Sequence, residues 1–213
     1  MPEPVKKRIY TSPVRKAQAE ATRARVIAAA ARLFLEAGYG RTSTAAIGRA
    51  AQTSEASLFA LFGSKADLLV AVISDQVGSS TDFPLRDQPV WRTLATEPDK
   101  TQAIEEFARI ARRAHERSWR LLTVAAAAAQ DDSGVAEALK RGAGRRHADC
   151  QWLLHHVITV PDPDLDRKTD SVWTLISVEN YRHLVVERAW SPEEYESWLV
   201  TMLTRSVIER DHG

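Results

Sequence analysis

The stretch Ser43-Thr-Ala-Ala-Ile-Gly-Arg-Ala-Ala-Gln-Thr-Ser54, continued by Glu55-Ala-Ser-Leu-Phe-Ala-Leu-Phe62, decides the fold of this chain. Ser43 or Thr44 is a helix cap whose side-chain oxygen accepts from a free backbone N–H of the first turn. The spacing then predicts a short helix over 44–51 with Ile47, Ala50 and Ala51 on its buried side. Gln52 and Thr53 interrupt it, and Ser54 caps a second short helix over 55–62 with Leu58, Leu61 and Phe62 facing inward. Two helices of about eight residues joined by a turn of about three make a helix-turn-helix unit.

Working outward, Arg23, Val26, Ile27, Ala30, Leu33, Phe34 and Ala37 recur at helical spacing and predict an amphipathic first helix that stops at Gly38 and Gly40. Ser64 with Asp67 three residues on opens a fourth helix over 65–77. A polar break with Pro84, Pro89 and Pro98 spans roughly 79–99. Helices are then predicted over about 100–117, 118–130 and 133–159, followed by a boundary at Pro161 and Pro163. A long helix over 165–189 comes next. Ser191-Pro-Glu-Glu194 opens a last one to about 209, with a cap, Pro at the first helical position and Glu at the third. The fold class is all-α: a flexible basic arm over 1–16, a helix-turn-helix domain over 17–78, and a larger helical domain over 79–213.

Composition narrows the function. Residues 1–50 hold ten Lys/Arg against three acids, a surplus of seven positive charges, whereas the rest of the chain has a deficit of six. A basic end on an acidic body suits contact with a polyanion through that end alone. One cysteine, Cys150, cannot form an internal disulfide, which excludes a disulfide-framed secreted scaffold and favours a reducing cytoplasm. The longest apolar runs, 26–35 and 121–129, are about half a membrane span. No signal peptide is expected, because Lys6, Lys7 and Arg8 are followed by no apolar stretch. Neither a phosphate-binding glycine loop nor a nucleophile elbow occurs, and His147 and Cys150 at i, i+3 with His155-His156 lack the rest of a metal shell, so no enzyme activity, metal or cofactor is expected.

The second short helix presents Thr53, Ser54, Ala56, Ser57, Phe59 and Ala60 outward, all but Phe59 small or hydroxyl-bearing. They let a helix sit close in a major groove about 12 Å wide. Its amino terminus suits a phosphate. Arg23, Arg41, Ser43 and Thr44 flank it and are candidate backbone clamps, as is Lys65 at the start of the fourth helix. The ordered set Ala31-Arg-Leu-Phe34, Gly38-Tyr-Gly40, Ile47, Ala50-Ala51, Ser54, Leu58-Phe59, Phe62, Ser64-Lys65 and Leu68-Leu69 resembles the amino-terminal domain of the tetracycline-repressor-like (TetR) family of transcriptional regulators. The resemblance implies a phosphate contact at Lys65 and a dimer on a palindromic operator of double-stranded DNA. This sequence departs from the family at Gln52, where Gly is usual, at Glu55, where Lys is common, and at Phe59, Ala60 and Leu61, which lack the usual Tyr, His and Tyr. Glu55 either repels phosphate or reads a cytosine amino group.

In the larger domain, Phe107, His115, Trp119, Trp152, Trp173, Ser177, Asn180 and His183 are candidates for an apolar ligand pocket with a few polar groups. Val178, Val185, Tyr195, Trp198, Leu199, Met202 and Leu203 on the last two helices offer more apolar surface than one side buries and are candidates for a homodimer interface. The expected function is a DNA-binding transcriptional regulator, a cytoplasmic repressor released by a small, largely apolar ligand. The alternative is an all-helical ligand-binding or interaction protein that has lost DNA reading.

Overall fold

The computed structural model describes residues 13–78, 88–158 and 162–207, and all regular structure among them is helical. The order is α1 Pro13–Ala37, α2 Thr44–Ala50, α3 Glu55–Phe62, α4 Lys65–Gln76, α5 Pro89–Thr96, α6 Lys100–Ala128, α7 Ser133–Val157, α8 Leu165–Leu175, α9 Val178–Tyr181 with a π-helical continuation Arg182–Glu187, and α10 Pro192–Val207. Helix α1 begins at Pro13, within the segment assigned above to the arm; residues 1–12 of that arm lie outside the described residues. A proline suits a first helical position because its missing N–H would have no partner there.

Apolar side chains form two clusters. The first gathers Val26 and Phe34 of α1, Ile47 of α2, Leu58 of α3, and Leu68 and Val72 of α4. It is completed by Leu121 and Ala125 of α6 and Val135 of α7. The second gathers Trp91 of α5, Phe107 of α6, Leu153 of α7, Val172 of α8 and Tyr195 and Leu199 of α10. Helix α6, about 43 Å long at 1.5 Å per residue, runs through both.

Three predicted boundaries are corrected. The break over 79–99 contains α5, which Pro89 opens and Pro98 follows, so both prolines sit where a helix tolerates them. Its Trp91 is buried and meets Phe107 edge-on at 5.7 Å. The two helices over 100–117 and 118–130 are one, because Ser118, fully buried, donates its hydroxyl to the Ala114 carbonyl at 2.7 Å and stays within the helix. The helix over 165–189 is broken at Ile176 and Ser177. There Asn180 Nδ2 donates to the carbonyls of Thr174 (2.8 Å) and Leu175 (3.2 Å), while His115 Nε2–H donates to the Ile176 carbonyl at 2.9 Å. Side chains thus satisfy the carbonyls that the break releases. Helix α10 starts as predicted: Ser191 Oγ accepts from Glu194 N–H at 3.1 Å and Glu194 Oε2 accepts from Ser191 N–H at 2.7 Å.

Two stability outcomes follow. Burial pushes His115 down to about 4, against an ordinary value near 6.5 in the unfolded chain. Above pH 6.5 both states hold a neutral ring; as pH falls from 6.5 towards 4 the unfolded chain takes a proton that the folded one refuses. Stability therefore falls over that window, by an amount on the order of 3 kcal/mol. His115→Gln keeps a donor for Ile176 and flattens that drop, read as the difference in urea midpoints between pH 7 and pH 4.5. The Tyr195 hydroxyl is buried with no hydrogen-bond partner among the described residues, so Tyr195→Phe raises stability by about 1 kcal/mol; a fall in the thermal midpoint would contradict this.

Candidate nucleic-acid interface

Local chemistry builds the reading unit. Ser43 is the cap of α2, its Oγ accepting from Ala46 N–H at 3.1 Å, and Ser54 caps α3, its Oγ accepting from Ser57 N–H at 3.0 Å. Between them Gln52 sits at φ 52°, in the left-handed region, at a cost of roughly 1 kcal/mol for a side chain with a Cβ. Gly48 permits the tight approach of the two helices: a Cβ there would lie 3.0 Å from the Thr53 carbonyl. Ile47 and Ala51 are buried as predicted, whereas Ala50 is exposed. Arg25 Nε donates to the Ala51 carbonyl at 3.2 Å and fastens this unit to α1.

Ser54, Glu55, Ala56, Ser57, Phe59 and Ala60 are exposed on α3, while Leu58 and Phe62 are buried beneath. Phe59 keeps 44% of its surface accessible, unusual for so large an apolar side chain. Thr53 is half-buried. Thr44 donates its hydroxyl to the Glu55 carboxylate, tying the first turns of α2 and α3 together. Ser54 and Ser57 share a hydroxyl contact of 2.8 Å. Arg41 donates to the Ala37 carbonyl at 2.8 Å and closes the end of α1. Arg23 lies apart from this set, its guanidinium 5.0 Å from the centre of the Phe62 ring.

Sequence reasoning missed what holds Lys65. Its ammonium lies 4.0 Å above the Tyr39 ring, and the Tyr39 hydroxyl donates to Asp132 Oδ2 at 2.8 Å. Tyr39 is held by the turn after α1: Gly38 adopts φ 80°, and the buried Thr42 hydroxyl reaches the carbonyls of Gly38 (2.8 Å) and Leu33 (3.1 Å). Burial lowers the Lys65 pKa, with Asp132 opposing, and the Tyr39 hydrogen bond leads the causes holding Asp132 below the usual carboxylate range. The signal in the sequence was a Tyr between two glycines. Nothing local names its partner 93 residues away.

Residues 26–72 match the family described as bacterial regulatory proteins, tetR family. They are a tetR-family domain. Among solved structures, the chain resembles NalD of Pseudomonas aeruginosa, the secondary repressor of the MexAB-OprM multidrug efflux pump. The two are 23% identical, with 92% of this chain and 100% of that chain covered, at a TM-score of 0.66. It also resembles a protein from Syntrophomonas wolfei assigned to the TetR-family transcriptional regulators (16% identity, 91% and 99% covered, TM-score 0.73). A third is a protein from Saccharomonospora viridis assigned as a transcriptional regulator and solved with choline (18%, 90% and 100%, 0.64). No curated protein matches the sequence. At these identities the solved structures establish the shared fold.

Outside the tetR-family domain, the predicted ligand residues do not share one cavity. A cavity of about 20 Å³, room for one water, is lined by Ile104, Phe107, Leu154, Val172 and Leu203 among others, and of the candidates only Phe107 reaches it. His115, Ser177 and Asn180 are engaged at the break after α8. Trp173 Nε1 donates to the Ala143 carbonyl at 3.3 Å, Trp152 packs on His156 at 4.3 Å, and the Arg120 guanidinium lies over Trp119 at 5.3 Å. His183 is exposed and meets Glu187 at 2.8 Å. Of the dimer candidates, Tyr195, Leu199 and Leu203 are at most 1% exposed within the single chain; they fill the chain's own core and are withdrawn from an interface. Val178, Val185, Trp198 and Met202 are half-buried, and Val186 beside them is 43% exposed. Among the described residues no group of three His, Cys, Asp or Glu is placed to hold a metal ion, and no single helix is long and apolar enough to cross a membrane.

The Tyr39–Asp132 hydrogen bond is measurable as a coupling. Tyr39→Phe and Asp132→Asn each cost about 1–2 kcal/mol, and the double variant loses less than the two single losses added, by about 1 kcal/mol in a urea-unfolding double-mutant cycle. Additive losses would show that the two groups act separately.

Proposed function

We propose that the protein is a dimeric, sequence-specific DNA-binding transcriptional regulator, a cytoplasmic repressor released by a small ligand. The observation that carries this is the exposed face of α3, set by two side-chain caps and a strained turn on a rigid helical base, inside a tetR-family domain. Residues 17–78 form the reading domain and 79–213 bind the ligand and the second subunit. Helix α3 enters the major groove, where Ala56, Phe59 and Ala60 present apolar surface to thymine methyl groups. Thr53, Ser54, Ser57, Ser43, Thr44 and Arg41 contact the flanking backbone. Lys65 does the same from the first turn of α4, beside a helix amino terminus that itself favours a phosphate.

Release acts through α7. The Asp132 carboxylate accepts from Gly134 and Val135 N–H at 2.9 and 3.1 Å and so caps α7, while its other oxygen holds Tyr39 next to Lys65. A ligand seated between α6, α7 and α8 parts the apolar contacts around Phe107 and Leu153 and shifts α7, and the shift is handed to the reading domain through this carboxylate. A ligand that prefers the shifted arrangement weakens DNA affinity, typically by about 1–3 kcal/mol. The ligand is largely apolar, as the lining of that region is. Support for a small ligand comes from a neighbour solved with choline and another solved with triclosan. The second subunit packs on the half-exposed strip of Val178, Val185, Val186, Trp198 and Met202.

Selection from a random duplex pool enriches one palindrome with half-sites about one helical turn apart, and its affinity falls steeply with salt. Glu55→Lys frees Thr44, adds a positive charge at the groove and steepens the salt slope by about one. Val186→Glu turns the dimer into a monomer in sedimentation and loosens operator binding. A folded, dimeric protein that enriches no sequence at low salt would instead favour an all-helical ligand-binding or interaction protein without DNA reading.

A further inference from the structure

Between the reading domain and α7 lies a cleft of about 350 Å³, lined by Arg23 of α1, Phe62 of α3, Asp67 and Val70 of α4, and Arg141 and Arg145 of α7. It is distinct from the apolar region around Phe107, and none of the residues assigned above to a ligand lines it. Three guanidinium groups share it with one carboxylate. That carboxylate is already engaged, since Asp67 Oδ2 accepts the Ser64 hydroxyl at 2.6 Å. Arg141 faces Glu137 at 3.9 Å in an exposed pair of α7, and Arg145 one turn on is exposed. Arg141 and Arg145 stand one turn apart, on the same face of α7 as the buried Ala138. Like charges one turn apart repel, so the arrangement carries an excess of positive charge that a bound anion relieves.

We propose that this cleft binds a compact small molecule bearing two or more negative charges of the phosphate or carboxylate kind. Guanidinium groups suit such anions because their planar N–H forks match the oxygens in pairs. The volume falls in the range of small-molecule pockets and is too small to admit a duplex. An anion here bridges Arg23 of α1 to Arg141 and Arg145 of α7, across the same junction that Asp132 and Tyr39 fasten, and stiffens the reading domain against the rest of the chain. The site needs no DNA, and its occupancy is read without any.

Calorimetric titration of the full chain with inorganic pyrophosphate, at constant ionic strength and without divalent metal, tests this. The expected result is one saturable site per chain. Arg141→Gln with Arg145→Gln weakens it at least tenfold, while Arg167→Gln with Arg188→Gln, exposed arginines elsewhere, changes it less than twofold; circular dichroism establishes that both variants are folded. Absence of saturable binding, or equal weakening in the two variants, would overturn the proposal by reducing the effect to diffuse charge. Displacement of pyrophosphate by an equimolar non-operator duplex, with weaker duplex binding in the Arg141/Arg145 variant, would assign the cleft to DNA and overturn it as well.

Discussion

The two oxygens of one carboxylate set the relation between the two ends of this molecule. Asp132 Oδ1 receives two backbone N–H groups at the start of α7, and Oδ2 receives the Tyr39 hydroxyl. The first bond pair is a helix cap worth about 1 kcal/mol wherever it occurs. The second reaches the turn that launches α2. The hydrogen bond from Tyr39 holds Asp132 below the ordinary carboxylate range, so the ionised group keeps both roles to lower pH than an ordinary carboxylate would. Gly134 is part of the same arrangement: a Cβ there would stand 3.1 Å from Asp132 Oδ1 and 3.5 Å from the Ala66 Cβ of α4. A rotation of α7 about its start therefore cannot leave α2 and α4 where they are.

Packing makes the same demand. A helical unit of some sixty residues buries too small a share of its surface to be robust alone, and here α1–α4 share their core with Leu121, Ala125 and Val135. The division near residue 78 follows the course of the chain, but the apolar cluster crosses it. Coupling between the reading unit and the larger domain accordingly runs through packed side chains, the Tyr39–Asp132 hydrogen bond, and the bonds that Arg117 Nε donates to the Gln76 carbonyl at 2.8 Å and Gln88 Nε2 to the Gly78 carbonyl at 3.2 Å. Such contacts have discrete arrangements, because close-packed interiors deform poorly by small degrees. That is the kind of junction a ligand shifts between two states.

Much of this was legible in the sequence because it is local. Ser43, Ser54, Ser64 and Ser191 cap helices through bonds to residues three positions on, and a short window carries all the information needed. The left-handed turn was signalled by Gln52 standing where glycine is usual. What was not legible depends on distant partners. The period of α10 marks Tyr195, Leu199 and Leu203 as buried, but period alone does not say whether α6 or a second subunit buries them. The break after Leu175 is invisible for the same reason: its released carbonyls are satisfied partly by His115, some sixty residues earlier, so no proline or glycine is needed to mark it. Trp152 and Trp173 share helical stripes with polar neighbours, which suggested a pocket. Their ring contacts with His156 and His147 are instead local or pairwise packing.

The departures from the family pattern on α3 form a coherent set. Glu55 replaces a common lysine, yet its carboxylate is held by Thr44, so its charge is directed at α2 and at the amino terminus of its own helix, where a negative charge is favourable. Ala60 and Leu61 remove two groups that would grip the backbone, and Phe59 removes a hydroxyl while leaving its ring exposed. Each change subtracts a polar contact from the helix or reverses its charge, while the Phe59 ring stays exposed. In the DNA-binding reading, α3 thus relies on shape and on apolar contact with base edges. Phosphate attraction, which supplies most non-specific affinity, is left to Arg41 in the turn after α1 and to Lys65 at the start of α4. The charged groups that supply affinity then sit off α3, and the junction at Asp132 bears on Lys65, one of them, more directly than on the groups that read the bases.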